Sequence, residues 1–343
     1  MKNFWRELPK PFFALAPLAN VTDAAFRRVI AKYSKVGLTK SNVVMYTEFV
    51  SADGLALAHE EGRAKLMRDL LFTPAERPIV AQFFTATPEH MEHAAALAQK
   101  LGFDGVDINM GCPDRVIEKQ GAGAKLMLNP TRAQELIAAA KRGAPLLPVS
   151  IKTRLGYNKD ILEEWLPALC EAEPAAVAIH ARTRREMSKV PARWERIKRA
   201  VELRDAAGST ALIIGNGDLK DVADAREKIK ETGADGAMLG RAIFGNPWLF
   251  GYAGDARSGE MNGGPTPPHA SPASHTSVEQ RLRVLVEHTK LFEELLGDVK
   301  SFAIMKKHFK AYVEGFPGAK ELRMELMEAE SAADVAHIVE GAL

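Results

Sequence analysis

The feature that most limits what this chain can fold into is a rhythm. Eight short apolar runs recur along the first 240 residues, at Phe12–Pro17, Val43–Phe49, Pro78–Phe84, Asp104–Asn109, Leu147–Lys152, Ala175–His180, Thr210–Gly215 and Asp235–Gly240. Each is short for a helix, and each reads as a nearly continuous apolar stretch rather than an alternating one, the pattern of strands buried on both faces. Amphipathic helical stretches fill the gaps. Thr22 caps a helix over Asp23–Tyr33 with Phe26, Val29 and Ile30 on one face, and a longer excursion after the second run includes a helix at Glu60–Leu70. Thr87-Pro88-Glu89 opens a helix that Gly102 closes, and Asn129-Pro130 opens one that Gly143 ends. Further helices are expected near Lys159–Glu171, Ala192–Asp205 and Lys220–Glu231, the last closed by Gly233.

Parallel strands joined by helical crossovers close most economically into a (β/α)₈ barrel of about 250 residues. The rival, a doubly wound open sheet, would carry GxGxxG after its first strand, where this chain has Ala16-Pro17-Leu18-Ala19-Asn20. A chain of 343 residues has room for more than the barrel. Composition shifts from Gly251 to Ser277 to Gly, Pro, Ser and His, which reads as a linker, and from Val278 onward the pattern is helical only. The expected organisation is a catalytic barrel over 1–250, a flexible linker over 251–277 and a small all-helical domain over 278–343.

Net charge is +2 and the isoelectric point about 8.4, too weak a bias to prove a polyanionic partner, though it allows local basic patches. Two cysteines, Cys112 and Cys170, cannot build a disulfide framework and suggest a reducing cytoplasm. Met1–Pro11 lacks the apolar core of a signal peptide, and no apolar run is long enough to span a bilayer. A soluble, cytoplasmic monomer without a metal site is expected.

Active sites of such barrels sit at the C-terminal ends of the strands. Here those ends carry Pro17, Glu48, Gln82, Asn109 with Cys112, Lys152, His180, Asn216 and Arg241. Gly215-Asn216-Gly217-Asp218 and Gly240-Arg241, after the last two strands, stand where many barrels hold a phosphate, although the same glycines also serve tight turns. Lys152 would point an ammonium into the barrel top, suited to an anionic ring or a developing oxyanion; an ion pair with Asp107 is its other use. His180 could donate to a carbonyl, a lone histidine at a strand end being as often structural, and Arg182, Arg184 and Arg185 beside it suit phosphate. Gln82 offers both a donor and an acceptor to a ring with carbonyl and NH edges. Cys170, among Trp165, Leu166 and Leu169, reads as core.

Five motifs in order carry a family resemblance: IxMGCP at Ile108–Pro113, KTRLG at Lys152–Gly156, HARTR at His180–Arg184, GNGD at Gly215–Asp218 and GRAIFGNPW at Gly240–Trp248. Together they resemble the flavin-dependent tRNA dihydrouridine synthases, most nearly the bacterial B-type branch. The resemblance implies an FMN-binding barrel, NADPH or NADH as electron donor, and a helical domain that helps to hold tRNA. It implies that Pro17, Leu18 and Ala19 line the flavin and that Gln82 and Lys152 contact its ring. Asn216, Gly217, Asp218, Gly240 and Arg241 would hold its phosphate, and His180 would lie near ring and uracil. Asn109 and Arg182 would contact substrate, and Cys112 would be the general acid, closed over by the loop Asp114–Ala124 with Gly121 and Gly123 as hinges.

In the C-terminal part, Phe302, Met305, Phe309 and Tyr312 recur at helical spacing and leave Lys300, Lys307 and Lys310 on the other side. A solvated lysine face is the ordinary reading. The run MKKHFKAYVEGFPGA from Met305, followed by KELRMELM, resembles the family's tRNA-binding domain and assigns Lys306, Lys307 and Lys310 to RNA phosphates. A small-molecule FMN oxidoreductase of the dihydropyrimidine or dihydroorotate dehydrogenase type would share the barrel, and a non-catalytic RNA-binding protein would share the lysines.

Overall fold

A computed structural model describes residues 3–34, 42–251 and 276–343. Eight parallel strands close in sequence order into a barrel: β1 (Phe12–Leu15), β2 (Val43–Ser51), β3 (Ile79–Phe84), β4 (Gly105–Asn109), β5 (Val149–Arg154), β6 (Ala176–His180), β7 (Leu212–Asn216) and β8 (Gly236–Leu239). Closure comes from β1 against β8, with Phe12 opposite Gly236 and Leu15 opposite Leu239. An open doubly wound sheet is thereby excluded.

The helices run in chain order as α1 (Phe4–Glu7), α2 (Ala24–Ser34), α3 (Ala52–Leu57), α4 (Glu60–Asp69), α5 (Pro88–Leu101), α6 (Arg115–Lys119), α7 (Pro130–Gly143), α8 (Leu162–Glu171), α9 (Trp194–Ala206) and α10 (Val222–Thr232). Four more follow the barrel, α11 (Val278–Leu296), α12 (Lys306–Tyr312), α13 (Ala319–Glu328) and α14 (Ala332–Ala342). The expected caps at Gly102 and Gly233 are left-handed, with φ of +82° and +73°. One expected cap is corrected. Asp23, not Thr22, holds the start of α2, its Oδ1 accepting from the Phe26 N–H at 2.9 Å, while the Thr22 hydroxyl turns back to accept the Leu18 N–H at 2.8 Å.

Successive strand residues face opposite ways, and this period of two sorts the core. Phe12, Ala14, Val44, Tyr46, Val80, Ala176, Ala178, Ile214 and Met238 fill the barrel interior, and Trp5 of α1 closes its lower end against Phe12 with ring centroids 5.6 Å apart. The opposite faces of the strands join the surrounding helices in a second, larger core that includes Cys170. That core continues without a break into α11–α14: Phe26 of α2 stacks on His288 and meets the edge of His308, each at 4.8 Å.

Lys300, expected on the exposed lysine side, is turned inward. Its ammonium lies 2.6 Å from Glu48 and 2.7 Å from Asp69. The physical reason is local charge: two carboxylates at the barrel rim need a cation, and Lys300 reaches both. The segment 252–275, most of the expected linker, lies outside the described residues. Among the described residues, no helix is long and apolar enough to cross a membrane.

Candidate active site at the barrel mouth

The same period of two that fills the interior carries polar side chains to its upper end. On β4 it aligns Asp107 with Asn109, on β5 Ser150 with Lys152 and Arg154, on β6 Ala178 with His180, on β7 Ile214 with Asn216. Above them opens a cavity of about 1000 Å³, lined by Pro17, Leu18, Ala19, Asn109, Cys112, Lys152, Arg154, His180, Arg182 and the turns Asn216–Lys220 and Gly240–Ala242.

Cys112 stands on a turn built by Asn109, whose Oδ1 accepts the N–H groups of Gly111 at 3.1 Å and Cys112 at 2.9 Å. This side-chain mimic of a backbone turn fixes the thiol at the exit of β4. From the other side, the Cys112 carbonyl accepts the Ala124 N–H at 2.9 Å. A side chain at Gly123 would meet that carbonyl at 2.8 Å and Ile117 at 2.9 Å, and its φ is +60°, so glycine is what lets the Asp114–Ala124 segment close on the cysteine. Burial pushes the Cys112 thiol up, and at neutral pH it is a thiol.

Lys152 is half-buried, and burial, with Arg154 nearby, brings its ammonium down to about 8. Its Nζ lies 3.4 Å from Asn216 Oδ1, and Asn216 in turn donates to the Met238 carbonyl at 2.7 Å. Asp107 is not its partner in a hydrogen bond: that carboxylate accepts from Ser150 Oγ at 2.6 Å and Gln82 Nε2 at 2.7 Å. His180 is pushed down to about 2 by burial and by the cations around it, Arg154 and Lys152 first, so its ring is neutral at working pH. Nη1 of Arg182 lies 3.1 Å from His180 Nε2. A guanidinium only donates, so Nε2 accepts and the ring proton sits on Nδ1.

Several expected residues take other places. Gln82 is fully buried one layer below the cavity, spending its amide on Asp107 and on Asn109 Nδ2 at 3.1 Å, so no part of it reaches the cavity surface. Glu48 faces Lys300 and the Asn20 N–H instead of the cavity. Arg182 borders the cavity but is 3% exposed, with its guanidinium occupied by Asp218, His180 and the Val190 carbonyl, which leaves little for a substrate. Arg184 pairs with Glu118 of α6. Arg241, by contrast, keeps 70% of its side chain exposed while one nitrogen reaches Asp218 at 2.6 Å. Asp218 is thus already neutralised by two guanidinium groups, and only its backbone can serve an anion. Lys307 and Lys310 are exposed, whereas Lys306 is half-buried and donates to the Met327 carbonyl at 2.5 Å, where α13 ends.

Arg154 is a further polar residue of the cavity that its position in the motif makes legible. It lies two residues beyond Lys152 in KTRLG, hence on the same face, and its Nε donates to the Gly111 carbonyl at 2.8 Å beside the cysteine. Burial brings it down to about 10.

The family model described as Dihydrouridine synthase (Dus) matches residues 14–342. A protein of Staphylococcus aureus (strain COL), named a probable tRNA-dihydrouridine synthase, is 39% identical over 335 residues, covering 97% of this chain and 93% of its own. The probable tRNA-dihydrouridine synthase 2 of Bacillus subtilis (strain 168) is 38% identical over 336 residues, covering 97% and 94%. Among solved structures, histamine dehydrogenase from Rhizobium sp. 4-9 matches with a TM-score of 0.51 at 12% identity, over 70% of this chain and 45% of that one, a likeness of fold alone.

Proposed function

The chain belongs to the dihydrouridine synthase family of flavin-dependent oxidoreductases, and from that premise we propose that it reduces the C5–C6 double bond of uridines in tRNA, with FMN as its flavin and NADPH or NADH as electron donor. The observation that carries the proposal is Cys112: a protonated thiol, held on a rigid turn at the mouth of a barrel beside a lysine and a neutral histidine.

The cavity fits the cofactor. Pro17, Leu18 and Ala19 would give the ring an apolar wall, Lys152 a cation for its electron-rich edge, and the turns at Asn216–Asp218 and Gly240–Arg241, with the exposed Arg241 guanidinium, a place for phosphate. A flavin held there would, when reduced, supply a hydride equivalent for one carbon of the double bond. The second hydrogen must arrive as a proton at the neighbouring carbon, and Cys112 holds one at Sγ under conditions where a low-pKa cysteine would have lost it. Lys152 steadies negative charge as it develops, and His180, locked as the Nδ1–H tautomer, orients neighbours without carrying charge. A uridine must leave its stack to enter such a mouth. The exposed Lys307 and Lys310 supply phosphate contacts, and the cytoplasm is where both this substrate and free thiols are found.

The test is direct. Protein reconstituted with FMN is given NADPH and unmodified tRNA, and the digested RNA is read by mass spectrometry for a uridine that has gained two hydrogens. Absence of that product from flavin-loaded protein defeats the proposal. Reduction of a free pyrimidine base in its place would establish the small-molecule oxidoreductase.

A further inference from the structure

Beneath the cavity lies a buried carboxylate that the chemistry above leaves unused. Asp107, Gln82, Asn109 and Ser150 are all 5% exposed or less and form one chain of hydrogen bonds. Ser150 Oγ and Gln82 Nε2 donate to Asp107, Asn109 Nδ2 donates to Gln82 Oε1, and Asn109 Oδ1 accepts from Gly111 and Cys112.

The chain can run only one way. Burial raises the Asp107 carboxyl to about 6, so above that pH it is ionised and accepts without donating; a backbone N–H donates and never accepts, and an amide side chain presents one group of each kind. Gln82 must therefore turn its NH₂ to Asp107, which leaves its oxygen for the Asn109 NH₂, which leaves the Asn109 oxygen for the turn. Reversing Gln82 would set its carbonyl against the carboxylate and push Asn109 to face two N–H groups with a third donor. At this depth no solvent relieves such a clash.

We propose that Asp107 is a positioning residue for Cys112: its carboxylate sets the orientation of two buried amides and through them holds the N–H side of the turn that carries the thiol. The inference deepens the reading of Cys112 as proton donor and takes its catalytic consequence from it. Other groups hold the carbonyl side of the same turn, Arg154 Nε on Gly111 at 2.8 Å and the Ala124 N–H on Cys112 at 2.9 Å. Among the described residues, the two N–H groups have Asn109 Oδ1 as their partner. Loss of orientation therefore frees one side of the turn and leaves the strand in place.

Residue-resolved amide hydrogen exchange on flavin-free protein reads this directly. Asp107→Asn keeps the shape but gives position 107 a donor, so Gln82 can reverse; Gln82→Met removes the middle link. Each should speed exchange at Gly111 and Cys112 about tenfold, the loss of one well-made hydrogen bond, with Val106 and Ile108 unchanged. The double variant should be no faster than Gln82→Met alone, because links of one chain do not add. In uridine reduction, Asp107→Asn should lower kcat with KM for tRNA unchanged. Unchanged exchange at the turn, exchange rising equally along β4, or additive effects in the double variant would each overturn the proposal, as would faster exchange with kcat intact. Exchange is measured without flavin or RNA, so the expected pattern in a protein that makes no dihydrouridine would refute the functional reading and leave the positioning role standing.

Discussion

Cys112 and Lys152 share one cause, withdrawal from water, with opposite consequences for charge: the thiol is kept protonated while the ammonium is brought close to losing its proton. If Cys112 delivers the proton to the pyrimidine, Cys112→Ala should slow single-turnover oxidation of the reduced flavin by unmodified tRNA by about 10²–10⁴-fold, the usual cost of a lost general acid, and stay yellow. Stopped-flow absorbance measures it, and a wild-type rate removes the cysteine from the reaction. Lys152 gives a second expectation. A lysine is charged below its folded pKa, so uridine reduction should decline as pH rises through about 8 and should lose that limb in Lys152→Met. His180 adds no limb between pH 5 and 8, since it is neutral across that range. A midpoint near the free-histidine value that vanished in His180→Asn would show that burial does not govern the site.

Among the elements, α2 joins the barrel to the C-terminal helices. Its first turn is capped by Asp23, whose carboxyl is pushed up to about 7 by burial and then by Glu48, and whose Oδ2 has no partner. Its folded pKa lies above the unfolded value of 3.8, so the benefit of the neutral acid is fully present below about pH 4 and lost as pH rises through 7. Asparagine caps equally well and never ionises. Asp23→Asn should therefore match wild type in urea denaturation at pH 4 and exceed it by a few kcal/mol at pH 8. Equal stability at both pH values would mean that Lys300, close enough to lower this pKa, neutralises the cost. The same helix seats the C-terminal helices, by Phe26 against His288 and His308 and by Lys32 and Tyr33 on Glu287, each at 2.8 Å.

At the scale of the molecule, barrel and C-terminal helices share one apolar core and the ion pairs of Lys300, so lysines exposed on α12 are carried on a rigid support. Lys307 and Lys310 are the exposed lysines of α12. Replacing both with alanine should weaken tRNA binding and reduce the slope of log affinity against log salt by about one unit per lost phosphate contact. Flavin reduction by NADPH should be untouched. A salt series that superimposes on wild type would show that the lysines are merely solvated.

The sequence by itself determined the barrel, because strand and crossover signals are local: apolar runs such as Ala176–His180 and helix stops such as Gly102 and Gly233 need no distant partner to be read. It also determined which residues rise to the barrel mouth, since a period of two puts Asn109, Lys152, His180 and Asn216 on the inner face at the strand ends once the strands are placed. What only the tertiary structure decided is which polar groups there remain free. Glu48 meets Lys300 across 252 positions, and Arg182 meets Asp218 across 36. Gln82 reaches Asp107 across 25 positions, and Lys306 reaches the end of α13 across 21. Each pairing removes from the site a group whose residue type alone suits it there. Such choices depend on distances between elements and on the cost of leaving a buried charge or amide unpaired, quantities that exist only after the chain has closed.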